Sequence, residues 1–283
     1  MIPQGVANWL QQQGYGGVVA SSPAAGGCIN NGAHLVTESG AHFFLKTNAN
    51  APADLFAREA EGLEALAGTR TLRVPAVVLV DEGFLLLEDL QPAARTAGYW
   101  PQLGRGLAQL HAHTQAHFGF AHDNYIGLTP QPNGWLADGY VFFAERRLHH
   151  QAHLAHSHSL LSADQVAAVE RLAARLPQLV PPQPASLLHG DLWAGNVLAG
   201  ATGAPALIDP AAYFGWAEAD LAMTALFGQF PGEFYSAYTE VRALELGWRE
   251  RFDVYNLYHL LNHLNLFGGG YYAQVMAVVE RYG

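Results

Sequence analysis

The chain contains one cysteine, Cys28, in 283 residues. That excludes an intramolecular disulfide framework, and with it the small disulfide-stapled secreted classes. Charge is also scarce: charged residues make up 13% of the chain, with 14 Lys and Arg against 24 Asp and Glu and a formal net charge of -10. A protein that grips a long nucleic acid needs clustered cations to displace its counterions, so no nucleic-acid partner is expected. No apolar run approaches the roughly 18 residues of a membrane helix. The opening MIPQGVANWLQQQGYG has neither the basic start nor the apolar centre of a secretory signal. These absences point to the cytoplasm, with no membrane partner.

What is abundant is apolar surface. Half the residues are hydrophobic, and at this length two packed subdomains are expected rather than one core. Up to residue 90, short β-like runs alternate with glycine-rich turns around one helical stretch, ADLFAREAEGLEALAG. HFFLKTN reads as a strand ending at Lys46, and GFLLLEDL as a buried strand before a connector at Gln91-Pro92. From Trp100 onward apolar residues recur at spacings of three and four, interrupted by SLLHGDLWAGNVL and ALIDPAAYFG, which read as a loop and short hairpin strands. The expected fold class is therefore α+β. A small antiparallel sheet lobe with one helix spans residues 1–90, and a larger, mainly helical lobe spans 91–283.

Transfer of a phosphoryl group from ATP needs a cation on the phosphates, oxygen ligands for Mg2+, and an acceptor for the substrate hydroxyl proton. HGDLWAGN places Asp191 and Asn196 five apart in one loop, so that the first can face a hydroxyl while the second turns toward a metal. Asp209, in LIDP, ends the adjoining strand and is the natural second Mg2+ ligand. Upstream, SSPAAGGCINNGAH, with Gly26, Gly27 and Cys28 at its centre, can cover phosphates with backbone N–H groups. Lys46 on its strand and a carboxylate on the following helix would form the phosphate-side pair. Glu59, Glu61 and Glu64 share that helix, and Glu59, four before Leu63, falls nearest the inward stripe. Glu88 and Leu90, at the end of LLLEDL, offer backbone groups to adenine.

These residues lie in a chain that resembles the fructosamine kinase, or ketosamine kinase, family, a branch of the aminoglycoside-phosphotransferase-like kinases with a two-lobed protein-kinase-like fold. The likeness runs nearly end to end, through GGCINNG, FFLKTN, FAREAEGLEAL, NYIGLTPQPNGW, FFAERRL, LLHGDLWAGNVL, LIDPAAYFGWAEADLAMTALFG and NHLNLFGGGYY. It implies ATP and Mg2+ as cofactors, Asp191 as catalytic base, and phosphorylation of the sugar 3-hydroxyl of a ketosamine, whose product then breaks down and frees the amine. The substrate would be a glycated small amine or a glycated protein lysine. Trp193 is the substrate-side candidate, because an indole face packs on a sugar or attracts a cationic amine. His189 would support the loop, and Asp220 would brace it through backbone hydrogen bonds. The family usually carries a second tryptophan where this chain has Gly139 and Tyr140, which bears on the shape of the sugar-side pocket.

Other readings compete with this one. A phosphotransferase for an aminoglycoside, choline or another sugar fits the same motifs. A protein kinase fits less well, since the loop reads HGD and Pro210 follows Asp209. A nucleotide-binding pseudokinase would have lost a metal ligand or the base, and every such residue is present. The histidines from His149 to His158 read as a solvated helix rather than a zinc site. Cys28 is a candidate redox-sensitive residue of the phosphate loop.

Overall fold

The structure is a computed structural model that describes residues 2–24 and 31–283. Gly26, Gly27 and Cys28 lie outside the described residues. Five strands form one antiparallel sheet: β1 (Val18–Pro23), β2 (Asn31–Thr37), β3 (His42–Thr47), β4 (Val77–Asp81) and β5 (Phe84–Glu88), in the order β1-β2-β3-β5-β4. Side chains alternate across a strand, and β3 and β5 divide accordingly. Phe43, Leu45, Phe84 and Leu86 face a helix α1 (Gln4–Gln12) through Val6 and Leu10. Leu85 and Leu87 face the opposite way and join Phe56, Leu63 and Leu66 of helix α2 (Leu55–Gly68). With Phe43 and Leu45 committed to α1, the alternation delivers Lys46 to the α2 face.

The expected lobe held one helix, and α1 is an addition. Its apolar pair Val6 and Leu10, spaced at four, closes a sheet face that would otherwise stand in water. β5 is buried from Phe84 to Leu87 because helices cover both sides.

The rest is mainly helical. Helix α3 (Tyr99–Leu110) packs on the Gly232–Val241 helix, and the Phe252–Phe267 helix is buried nearly all round against Ala217–Leu226. Three small β units are set among these helices. β6 (Thr114–Gln115), β9 (Ala185–Leu188) and β12 (Tyr213–Gly215) make one sheet, β7 (Asn124–Ile126) pairs with β8 (Thr129–Gln131), and β10 (Val197–Ala199) pairs with β11 (Pro205–Leu207). The division into a small sheet lobe and a helical lobe is the protein-kinase-like arrangement. Among the described residues, no helix is long and apolar enough to cross a membrane.

Candidate active site

The HGD loop leaves β9, and the chain returns along β12, antiparallel to β9. Between them the β10–β11 hairpin pairs Val197 with Leu207, which brings Asn196 and Asp209 out at the same end; Ile208 N–H donates to Asn196 O at 3.1 Å. Gly190 sits at φ +84°, and a Cβ there would lie 2.0 Å from Ala211 O, so only glycine allows the two segments to meet.

The loop backbone is held from behind. Asp220 accepts the N–H of His189 at 2.7 Å and that of Gly190 at 2.9 Å, and it also accepts His111 Nε2–H at 3.2 Å. His111 Nδ1 is left to accept the hydroxyl of Tyr238 at 2.9 Å. Burial works to raise Asp220, but the hydrogen bonds from His111 and from the Gly190 N–H hold its carboxyl below the usual range. His189 Nε2 can only donate to the carbonyl of Ile208, at 2.8 Å, so its Nδ1 accepts Asp191 N–H at 3.2 Å. Burial lowers the His189 pKa. Both ring nitrogens are thus occupied by backbone, and the neutral ring is a support.

Asp191 stands at the front of the loop. Burial pushes its carboxyl up to about 7; Asn196 opposes the rise, and the charges of Asp209 and Asp220 add to it. Asn196 Nδ2 donates to Asp191 O at 2.8 Å, to Asp191 Oδ2 at 3.0 Å and to Asp209 O at 3.4 Å. That fixes the amide so that its own carbonyl oxygen remains for a cation.

Across the cleft, Lys46 Nζ is 2.5 Å from Glu59 Oε1 and 2.6 Å from Asp209 Oδ1. Burial alone would lower the Lys46 pKa, and the two carboxylates outweigh it and hold the ammonium charged. Burial raises Glu59, Asp209 adds to the rise, and Lys46 opposes both. The helical phase is settled by these contacts: Glu59 faces Lys46, Glu61 turns to Arg58 and His122, and Glu64 is exposed. Asp209 adopts φ +54°, a left-handed conformation rare outside glycine, which carries its side chain toward Lys46. Its second carboxylate oxygen and the Asn196 carbonyl suit Mg2+, which takes one or two carboxylates and completes its shell with phosphate oxygens and water. Among the described residues there is no group of three or more His, Cys, Asp or Glu arranged to cage a metal.

Trp193 is half-buried, and its indole lies over Gly195, where a Cβ would come within 2.3 Å of the ring. Its neighbours extend into an aromatic group that the sequence did not bring to notice. Phe227 is 6.4 Å from Trp193 and 4.6 Å from His263 between centroids, and Tyr271 is 5.1 Å from His263. Gly139 is elsewhere: a Cβ there would strike the Phe118 ring at 2.6 Å, so Phe118 fills that space, while Tyr140 donates to Val180 O and packs edge-on to Trp216. Glu88 N–H is donated to Ala76 O and its side chain pairs with Arg73, whereas Leu90 sits in the connector beyond the strand.

A buried amide network also escaped notice, although it lies in the quoted NYIGLTPQPNGW. Asn124 Nδ2 donates to Ala212 O, and Gln131 Nε2 to Ala211 O and Asn124 Oδ1. The fully buried Arg147 donates to Pro132 O and Asn133 Oδ1, with its guanidinium 4.0 Å from the Tyr213 ring centroid. The density of amides between apolar runs was the available signal.

Comparison with known proteins identifies the family. The fructosamine kinase family profile matches residues 2–282. A "Probable ketoamine kinase" of Synechocystis is 43% identical over 91% of this chain and 88% of its own length. The chloroplastic protein-ribulosamine 3-kinase of Arabidopsis thaliana is 37% identical over 98% of this chain and 87% of its own. The crystal structure of a "putative fructosamine-3-kinase" from Thermobifida fusca superposes with a TM-score of 0.88 at 33% identity, covering 97% of each chain. The chain belongs to the fructosamine kinase family.

Proposed function

We propose that the protein transfers the γ-phosphate of ATP to the sugar 3-hydroxyl of a ketosamine, a step that leads to deglycation of the amine. The observation that carries this reading is the meeting of two half-sites: Lys46, Glu59 and Asp209 on one side, and Asp191 with Asn196 on the other. The relatives' names, ketoamine kinase and ribulosamine 3-kinase, supply the substrate class.

In this reading residues 1–90 form the nucleotide-binding lobe and 91–283 the catalytic and substrate-binding lobe. Lys46 holds the phosphates and Glu59 holds Lys46. Asn196 and Asp209 hold Mg2+, which when bound neutralises phosphate charge. Asp191 takes the proton from the sugar hydroxyl as its oxygen bonds to the γ-phosphorus and the bond to ADP breaks. A carboxyl near 7 suits that task, because a base works best with its pKa close to the operating pH. Trp193, with Phe227 and His263 beside it, presents ring faces to the sugar or the amine. On the adenine side Leu90 is the better main-chain candidate, since the Glu88 N–H is already given to Ala76.

A coupled ADP-release screen over ribulosamine, fructosamine, aminoglycoside and choline substrates, each with a free and a protein-bound amine where one exists, tests the reading. Turnover is expected on ribulosamines or fructosamines. Turnover confined to aminoglycosides or choline would overturn the substrate class, and none at all with bound Mg-ATP would overturn the enzyme.

A further inference from the structure

The Lys46–Glu59 pair works only if α2 is held in register with β3. The helix meets the sheet through a few apolar side chains, Phe56, Leu63 and Leu66. A second set of contacts comes from the helical lobe. The Tyr125 hydroxyl, on β7, donates to Asp54 Oδ1 at 2.6 Å, just before the first turn of α2. His122 Nδ1 lies 3.1 Å from Glu61 Oε2, about two turns further along. Arg58 ties these two anchor points together on the helix, reaching Asp54 at 3.2 Å and Glu61 at 2.6 Å. On the inner side, a Cβ on Gly62 would stand 3.4 Å from Pro210 and Ala212, so the helix rests directly on the segment that follows Asp209.

The hairpin that carries Tyr125 is rooted in the same segment. Asn124 donates to Ala212 O at 2.9 Å and Gln131 to Ala211 O at 3.1 Å, while Asn133, bonded to Asn124, is held in turn by buried Arg147. One hydrogen-bonded unit of the helical lobe therefore touches both the segment after Asp209 and the start of α2.

We propose that Tyr125 is a positioning residue for nucleotide binding: by holding Asp54 it fixes α2, and through α2 it sets Glu59 against Lys46. The inference rests on the reading of Lys46 as the phosphate-binding cation. The contact is suited to the task at every working pH, since burial, and then Asp54, push the Tyr125 hydroxyl up to about 12, and the Tyr125 bond, with Arg58, keeps Asp54 below the usual carboxylate range. Tyr125 stays the donor and Asp54 the acceptor.

The test is a double-mutant cycle on Mg-ATP affinity, measured by calorimetry on the full chain, with melting curves as a check on folding. Tyr125→Phe should weaken Mg-ATP binding about five- to tenfold, the low end of coupling between distinct sites. In a Glu59→Gln background the same substitution should add nothing, because the contact acts through Glu59. Should Tyr125→Phe fold poorly, Asp54→Ala removes the contact from the helix side and is expected to give the same pattern. Unchanged affinity in a well-folded variant overturns the proposal, and so does an equal loss in both backgrounds, which marks general softening. Failure of the underlying function is seen separately, in the parental protein: no Mg-ATP binding there overturns both, whereas Mg-ATP binding without ketosamine turnover overturns the substrate reading alone.

Discussion

Asp191 and Asp220 flank the same loop, and their surroundings drive them in opposite directions. Asp220 receives two backbone N–H groups and His111, and stays ionised below the usual range. Among the described residues Asp191 receives only Asn196, faces the charges of Asp209 and Asp220, and keeps its proton up to about 7. Burial opposes both charges, and what separates them is the donors aimed at Asp220 and the like charges that face Asp191. A carboxylate saturated with donors is a strut, while one left short of them is ready to take a proton.

The comparison breaks most visibly at Asp191. Asp191→Asn should lower kcat by about 10² to 10⁴ while Mg-ATP affinity stays near parental, because Asn196 and Asp209 are untouched. In the parent, kcat/KM should climb with pH through an inflection near 7, where the carboxylate forms. A variant with parental kcat, or a flat profile across that range, would remove Asp191 from the chemistry.

Asp220 should show its importance in stability. Asp220→Ala leaves three buried donors without an acceptor and is expected to cost about 3 to 5 kcal/mol in urea unfolding. A loss below about 1 kcal/mol would mean that the strut carries little.

The same two groups should respond to pH with opposite sign. The folded Asp191 carboxyl holds its proton up to about 7, whereas an unfolded chain releases it near about 4. The parent therefore loses stability as pH rises between those values. Asp191→Asn escapes that loss and should be more stable than the parent by about 1 to 3 kcal/mol at pH 8, a gap that closes toward pH 4. Asp220, lowered in the fold, contributes stability above about pH 4 that is lost in stronger acid. Parallel unfolding curves at pH 8 for parent and Asp191→Asn would contradict this account.

The smallest effect lies on the substrate side. Trp193→Ala removes one ring from its group and should raise the KM for a ketosamine by about tenfold, or 1 to 2 kcal/mol, with little change in kcat or in ATP binding. Loss of ATP affinity instead would place Trp193 on the nucleotide side.

How much of this was legible depended on whether a contact could be read along the chain or only across it. HGDLWAGN and LIDP gave Asp191, Asn196 and Asp209 as an ordered set, because a short hairpin returns them to one end. Glu59 could be ranked against Glu61 and Glu64 by helical phase, since the inward stripe at Leu63 is local. Helix α1 was passed over: its Val6 and Leu10 carry the periodicity, but the sheet face that gives them meaning lies at Phe43 and Phe84. The rings around Trp193 come from three later segments, and Tyr125 meets Asp54 across 71 residues, which no local spacing records.

The placement of α1 also bears on the order in which the protein can assemble as it is made. Synthesis proceeds at about 5 to 20 residues per second, with N-terminal segments free to fold first. Val6 and Leu10 emerge early, but the face they cover is complete only when Phe84 and Leu86 have followed. From that point the five-stranded sheet, both its helices and the Lys46–Glu59 pair have all their own residues. Asp209, the other partner of Lys46, lies 163 residues beyond that lysine and far past the end of β5. Over that stretch the chain holds every residue of the sheet and its two helices but not yet the second carboxylate that Lys46 meets in the finished fold.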